Sequence, residues 1–398
     1  MKQKVVVVGH GYTSRLSIIR SVGIAGYDVD VVIIYPKRKI PKNKPIDCYS
    51  KYVNKIHYVP TGDKRFLIDL LIKNYKICKN KPLLIPDSDY SVAAIDLSYN
   101  ELSKYFLIPN IDNQQGAVVH WMNKAIQKER AKSVGLNVAL AVIISIKNGE
   151  FHIPSTIKYP CFPKSVDGGK TGLGRCDNCE MLSKSLSQMA AVRDRDVLIE
   201  EYLEIDKEYA LVGFSDGKNV CIPAVLYNEN MSKGSHYGVA KGGRVSPVDA
   251  YAPLIEKFKK LISSIHFVGI FDIDFLECNG TFYFDEINLR FGGSGHAVTM
   301  AGVNLPAMFA EFMTKKTYRM QTVSSDVNLS FVNERICIDE WYEGYVTRKE
   351  LSVYIKNADI SFIKDDSDPH PYISFIKYYK GLRIKRSVRL ILKKLHLK

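Results

Sequence analysis

Val5 to Val8 is an unbroken run of four valines, and it closes on Gly9-His10-Gly11 before a helical pattern that reaches Ser21. A strand that is apolar at every position has no solvent face, so it needs cover on both sides. Val29 to Ile34 is a second β-rich run, and Pro82 to Ile85 a third, just before Pro86-Asp87-Ser88-Asp89. Buried strands alternating with helical segments predict a parallel α/β sheet over residues 1–112. Gly9-x-Gly11 resembles the start of a dinucleotide fingerprint, but Ser14 stands where the third glycine belongs, so bound NAD is not expected. At 398 residues the chain is long enough for more than one domain.

Hydrophobic residues at 46% and charged residues at 25% exclude a chain disordered throughout. No apolar run is long enough to cross a bilayer. Met1 to His10 lacks the apolar stretch and cleavage site of a secretory signal, which predicts a cytoplasmic protein. The eight cysteines sit mostly alone in apolar runs, as expected of reduced thiols. Cys176 and Cys179 form one C-x-x-C without a second pair at zinc-ribbon spacing, and read as loop cysteines.

The net charge of +14 is unevenly spread. Residues 377–398 hold nine Lys or Arg and no acid, which leaves only +5 for the rest. That distribution argues against a nucleic-acid partner for the folded body. In the tail Ile384, Val388, Ile391, Leu392 and Leu395 recur at helical spacing among basic residues. A basic amphipathic helix of this kind suits peripheral contact with an anionic membrane surface.

Five further segments carry chemistry. Lys164 precedes the loop Gly168-Gly169-Lys170-Thr171-Gly172, whose backbone N–H groups can approach phosphates closely. Glu200-Glu201-Tyr202-Leu203 follows a strand and precedes Glu208, an arrangement able to pair with a base edge and ribose hydroxyls. Phe271 to Arg290 reads as a hairpin about Asn279-Gly280, with Glu286, Asn288 and Arg290 spaced by two on one face. A carboxylate, an amide and a guanidinium together suit a hard cation beside a transferring phosphoryl group. For Asp274 to share that face, the turn is expected to be a three-residue loop, Cys278-Asn279-Gly280, which pairs Asp274 with Phe284 and gathers Phe271, Ile273, Phe275, Tyr283 and Ile287 on the buried face. His296, in the glycine loop that follows, reads as a positioning or structural residue rather than an acid/base group. Ser232 to Ser246 places Lys241 and Arg244 among glycines, and is expected to form a mobile loop that holds the substrate carboxylate or the γ-phosphate.

The order of Asn123-Lys124, Lys164 with its glycine loop, the Glu200–Leu203 segment, Asp274 and Glu286-x-Asn288-x-Arg290 resembles the ATP-grasp superfamily, most of all its carboxylate–amine ligases. The resemblance runs from residue 1 to about 315. It implies an α/β pre-ATP-grasp domain (1–112), a small lobe with the glycine loop (113–203), and a large lobe with the metal site (204–320). An α/β extension (321–376) and the basic tail (377–398) follow. It further implies that Lys124, Lys164 and the glycine loop contact ATP phosphates, while Glu200, Glu201, Tyr202 and Leu203 hold adenine and Glu208 the ribose. Asp274, Glu286 and Asn288 would ligate two Mg²⁺ ions, or Mn²⁺, and Arg290 would stabilise the phosphorylated intermediate. The implied reaction is ATP-dependent amide formation through an acyl phosphate, on small-molecule substrates such as an amino acid and a cell-envelope precursor; a homodimer is compatible with it. The alternatives are a bicarbonate- or thiol-directed enzyme and a nucleotide-binding module without turnover. Asn123 departs from the aspartate usual before the first phosphate lysine, and the spacing from Glu200–Leu203 to Glu208 is one residue longer than in D-alanine ligase.

Overall fold

The computed structural model describes residues 2–35, 43–60, 62–167, 174–233, 235 and 238–394, with the backbone alone described for Tyr12 and residues 385–394. Four strands, β1 (Lys4–Gly9), β2 (Asp28–Tyr35), β3 (Val53–Pro60) and β4 (Leu83–Pro86), form a parallel sheet in the order β3-β2-β1-β4. Val5 to Val8 are wholly buried, with alternate valines feeding two apolar clusters on opposite faces of the sheet. β3 escapes sequence reading because Asn54 and Lys55 interrupt its pattern, as expected of an edge strand with one side in water.

The other strands run in chain order as β5 (Asn110–Ile111), β6 (Asn137–Val138), β7 (Ala141–Ile146), β8 (Cys161–Ser165), β9 (Arg195–Glu201), β10 (Lys207–Asp216), β11 (Val220–Cys221), β12 (Val225–Met231), β13 (Ala240–Ser246), β14 (Phe267–Cys278), β15 (Thr281–Asn288), β16 (Leu329–Val332) and β17 (Ile360–Ser361). Three of them, in the order β7-β9-β8, make a small antiparallel sheet packed on the helix Cys179–Ala190. The remainder form one large sheet, β17-β16-β13-β12-β10-β14-β15-β6, with β11 and β5 paired to β10 and β14. The helix Ala252–Ser263, with Pro253 in its first turn, buries Ile255, Phe258, Leu261 and Ile262 against that sheet. The two strands after residue 321 do not stand apart, since β16 extends the large sheet by pairing with β13.

Sequence-distant parts are tied by buried charge. Arg20, on the helix Tyr12–Ile24, is 2% exposed and donates to Asp368 (3.0 Å) and to the carbonyls of Ile363 (2.9 Å) and Asp368 (3.1 Å). Asp368 also accepts from the Lys51 amide at 2.8 Å. Removing one partner of such a pair leaves a desolvated charge behind. Asp368→Ala is therefore expected to cost about 3 kcal/mol or more of stability in urea unfolding monitored by circular dichroism.

Candidate active site

The site is built on the β14–β15 hairpin, and its turn differs from the sequence expectation. Asn279 (φ 49°) and Gly280 (φ 73°) both lie in the left-handed region, so they make a two-residue turn in which Cys278 pairs with Thr281. Phe275 then pairs with Phe284, not Asp274 with Phe284. The register slips by one residue at Asp285, and beyond it Asp274 faces Glu286 and Asp272 faces Asn288. A bulge in β15 thus supplies the shift that the sequence reading assigned to a longer loop. The core shows the same change of parity. Phe282 and Phe284 turn inward before the bulge, and Ile287 and Leu289 after it, so Phe284 takes the buried place expected for Tyr283.

Asp274, Glu286 and Asn288 consequently meet on one face. Asn288 Nδ2 lies 3.3 Å from Asp274 Oδ2 and 3.4 Å from Glu286 Oε1. Burial, with Asp272 and Asp285 nearby, pushes the Asp274 carboxyl well above its usual range. Burial pushes Asp272 up to about 6, and its Oδ1 is buried without a hydrogen-bond partner. Crowded, desolvated carboxylates of this kind fit a divalent cation, which would take up charge they cannot otherwise shed. Among the described residues no three His, Cys, Asp or Glu cluster at ligating distance. Two carboxylates and an amide suit Mg²⁺, which keeps several positions for water and phosphate oxygens.

Three lysines face these acids. Asn123 caps the helix Lys124–Ser133 by accepting from the amides of Ala125 (3.0 Å) and Ile126 (3.2 Å), a task that Asn and Asp perform equally well. Lys124 opens that helix and pairs with Glu286. One turn on, Lys128 lies 2.7 Å from Glu200 and 3.9 Å from Asp285. Lys164 on β8 pairs with Asp285 and stands 3.1 Å from Glu200. Burial alone would lower the Lys164 pKa, but Asp285 and Glu200 outweigh it and raise it. Burial likewise opposes ionisation of Asp285, yet Lys164, Lys128 and Lys124 hold it well below the carboxylate range. Lys124 has its pKa lowered, by burial and by Lys164.

Asp274, Glu286, Asn288 and Arg290 line a cavity of about 570 Å³ together with Glu208, Asp285 and, from the first sheet, His10 and Gly11. Burial and Asp285 raise the Glu208 pKa. Arg290 donates from Nε to Asp89 (2.6 Å) and from Nη2 to Asn288 Oδ1 (3.3 Å). Glu200 turns its side chain to Lys128 and Lys164 as their counter-ion. Glu201 exchanges hydrogen bonds with Leu140, and the Tyr202 amide donates to Pro160 (3.1 Å), with Leu203 next on the path to β10. Arg175 stacks 4.6 Å from the Tyr202 ring centroid. Gly168, Gly169, Lys170, Thr171 and Gly172 lie outside the described residues.

Lys241 and Arg244 do not reach this cavity. Their segment is the strand β13, not a loop, and both line a separate hollow of about 190 Å³. Lys241 is buried in an ion pair with Glu340 (2.6 Å), and Arg244 pairs with Glu229 (2.8 Å). Contrary to the sequence expectation, neither residue lines the cavity that Asp274 and Glu286 share. His296 is buried against Ser17 (3.1 Å) and Phe362, where burial and Arg20 push its pKa down to about 4. Sequence reading missed Asp285, Lys128 and Asp272. Lys128 was legible as the residue one turn from Lys124.

The family model for the ATP-grasp domain matches residues 129–307. The chain contains an ATP-grasp domain. An N5-carboxyaminoimidazole ribonucleotide synthase of Staphylococcus aureus is 28% identical over 192 residues, which are 47% of this chain and 49% of that protein. The match thus spans about half the length of this curated relative. The fold is shared with an L-amino acid ligase from Bacillus licheniformis (TM-score 0.60, 17% identity, 79% of this chain and 75% of that one). It is also shared with the biotin carboxylase domain of a Hydrogenobacter thermophilus 2-oxoglutarate carboxylase, solved with MgADP and bicarbonate (TM-score 0.64, 18% identity, 84% and 73%).

The Lys164–Asp285 pair is testable by a double-mutant cycle. Lys164→Met leaves Asp285 and Glu200 short of a partner, with an expected cost of about 3 kcal/mol in denaturant unfolding. Adding Asp285→Leu is expected to recover at least about 1 kcal/mol of that, the coupling typical of residues in one network.

Proposed function

We propose that this protein is an ATP-dependent carboxylate–amine ligase that releases ADP and phosphate. The observation that carries the reading is that Asp274, Glu286, Asn288 and Arg290 line one cavity, while Lys124 and Lys164 pair with Glu286 and Asp285 of the same strand. Lys124 and Lys164 would bind the phosphates of ATP, trading Glu286 and Asp285 for phosphate oxygens. The Glu200–Leu203 segment would hold adenine, and Glu208 the ribose. Asp274, Glu286 and Asn288 would hold Mg²⁺, which would neutralise charge on the phosphate oxygens.

The γ-phosphoryl group passes to a substrate carboxylate, and an amine then attacks the acyl phosphate to give an amide. The residues named here position and neutralise the reacting groups, and the chemistry asks for no covalent nucleophile. Arg290, held by Asp89, offers its guanidinium to the transferring oxygens. An amino acid is the proposed acid, in keeping with the L-amino acid ligase that shares the fold. Bicarbonate is the alternative acid, favoured by the bicarbonate bound to the carboxylase domain. ADP release with hydroxylamine as nucleophile, across a panel of amino acids and bicarbonate, separates the two, since only a stable acid yields a hydroxamate. Glu286→Gln is expected to lower Mg²⁺-dependent ADP formation at least about 100-fold, with a melting temperature unchanged within a few degrees. Retained activity removes the metal assignment.

The reading extends to the tail. The helix His370–Lys394 packs on the body through Phe375 and through Tyr379 against Trp341, while Ile384 is 68% exposed. We place its basic end on an anionic bilayer, at about 1 kcal/mol per Lys or Arg near the surface. The full chain should sediment with phosphatidylserine vesicles at low salt and not with phosphatidylcholine vesicles. Truncation after Leu382 is expected to abolish the binding, and equal pelleting of the truncated chain contradicts it.

A further inference from the structure

The cavity has a second wall that the ligase reading leaves idle. β1 and β4 are parallel neighbours, and the strand order reverses between them, because β2 and β3 lie on the far side of β1. Ligands of open α/β sheets bind in the crevice at the carboxyl ends of such a strand pair. The turn after β1 presents His10 there, and Gly11 and Thr13 with it, to the same cavity as Asp274, Asn288 and Arg290. The His10 ring is oriented on two sides. Its Nδ1 lies 3.2 Å from Ser88 Oγ, on the turn after β4, and its edge meets the Tyr90 ring at 5.4 Å between centroids. A histidine whose second nitrogen is fixed by a neighbouring group is the arrangement of an oriented general base.

We propose that His10 is the general base of the second half-reaction, taking the proton from the incoming ammonium group before it attacks the acyl phosphate. The proposal rests on the ligase reading and adds to it the place where the amine enters. An amine carries three N–H protons near neutral pH, and its lone pair is available only after one is lost. With Nδ1–H donating to Ser88 Oγ, Nε2 accepts that proton. The free amine forms the C–N bond, the C–O bond to phosphate breaks, and phosphate leaves with the electron pair. The second N–H proton departs to the phosphate, and His10 returns its own to solvent. The charged groups on the elements around the ring are Arg15 on the first helix, Asp87 and Asp89 after β4, and Arg290 after β15. Partial burial and Arg15 lower the His10 pKa below its ordinary 6.5, so the ring is neutral and able to accept.

Hydroxylamine separates the two half-reactions, because it is already an uncharged nucleophile at pH 7.5. In the full-length protein with MgATP, ADP release is measured for each acid of the amino-acid panel, once with hydroxylamine and once with amino acids as amines. For His10→Gln the amine-dependent kcat should fall about 100-fold or more, the range of general-base catalysis, while the hydroxylamine rate stays within about twofold. The wild-type kcat/KM with amine should rise through an ionisation below pH 6.5, and that limb should vanish in the variant. His10→Asn, tested beside it, should behave alike, and MgADP should raise the melting temperature of both as it does for wild type. An equal fall of both rates, an unchanged amine rate, or a wild type active with hydroxylamine but with no amine overturns the role of His10. A wild type that releases no ADP even with hydroxylamine overturns the ligase reading itself.

Discussion

Asp285 is a buried carboxylate that stays charged only because Lys164, Lys128 and Lys124 converge on it from two other elements. A lone carboxylate in that position would take up a proton, and lone lysines would lose one. Together with Glu200 they form a closed set in which each ion is desolvated at the others' expense. The bulge exists to place Asp285 in this set without losing the hairpin. One extra residue lets β15 present Asp285 to the lysines and still return Glu286 and Asn288 to the face of Asp274. Such a network adds little net stability over an apolar core of the same shape. What it fixes is position, since Lys164 on the small sheet and Asp285 on the large one meet in one geometry.

The same network stands in for substrate. Under the proposed function, phosphates would bring negative charge to Lys124 and Lys164, and a divalent cation positive charge to Asp274 and Glu286. The internal pairs Lys124–Glu286 and Lys164–Asp285 are what those ligands would replace. A site with charges of both signs, each already paired, pays less to remain folded without ligand than one with either sign alone.

Much of this was legible in the chain. The valine run announced the first sheet, and Asn279-Gly280 the hairpin, because both signals are local. The bulge was not, since parity along a strand is a local rule that a single inserted residue breaks without a compositional mark. Yet the two-residue turn favoured by Asn-Gly and a shared face for Asp274 and Glu286 can be reconciled only by an odd residue between them. Lys241 and Arg244 failed for a different reason. Glycines beside basic residues read as a mobile loop, but a Cβ on Gly243 would sit 2.1 Å from the Tyr227 carbonyl and 2.8 Å from the Phe331 ring. That glycine serves close strand packing, and the charges beside it are held by Glu340 and Glu229.

The two histidines show how topology redistributes roles that sequence assigns by neighbourhood. His296 follows the metal strand in sequence, yet the chain turns it into the seam between the first helix and the residues near Phe362. His10 lies nearly three hundred positions away and reaches the cavity, because β1 ends where the first sheet abuts the large one. A parallel sheet gathers the carboxyl ends of its strands on one edge, and in this chain that edge faces β14 and β15. One side of the cavity is therefore made by the antiparallel hairpin, which the proposed function gives to the nucleotide, and the opposite side by the parallel sheet. Under the proposed function, two substrates that meet at one acyl group need two such walls, each built by a fold element suited to its ligand.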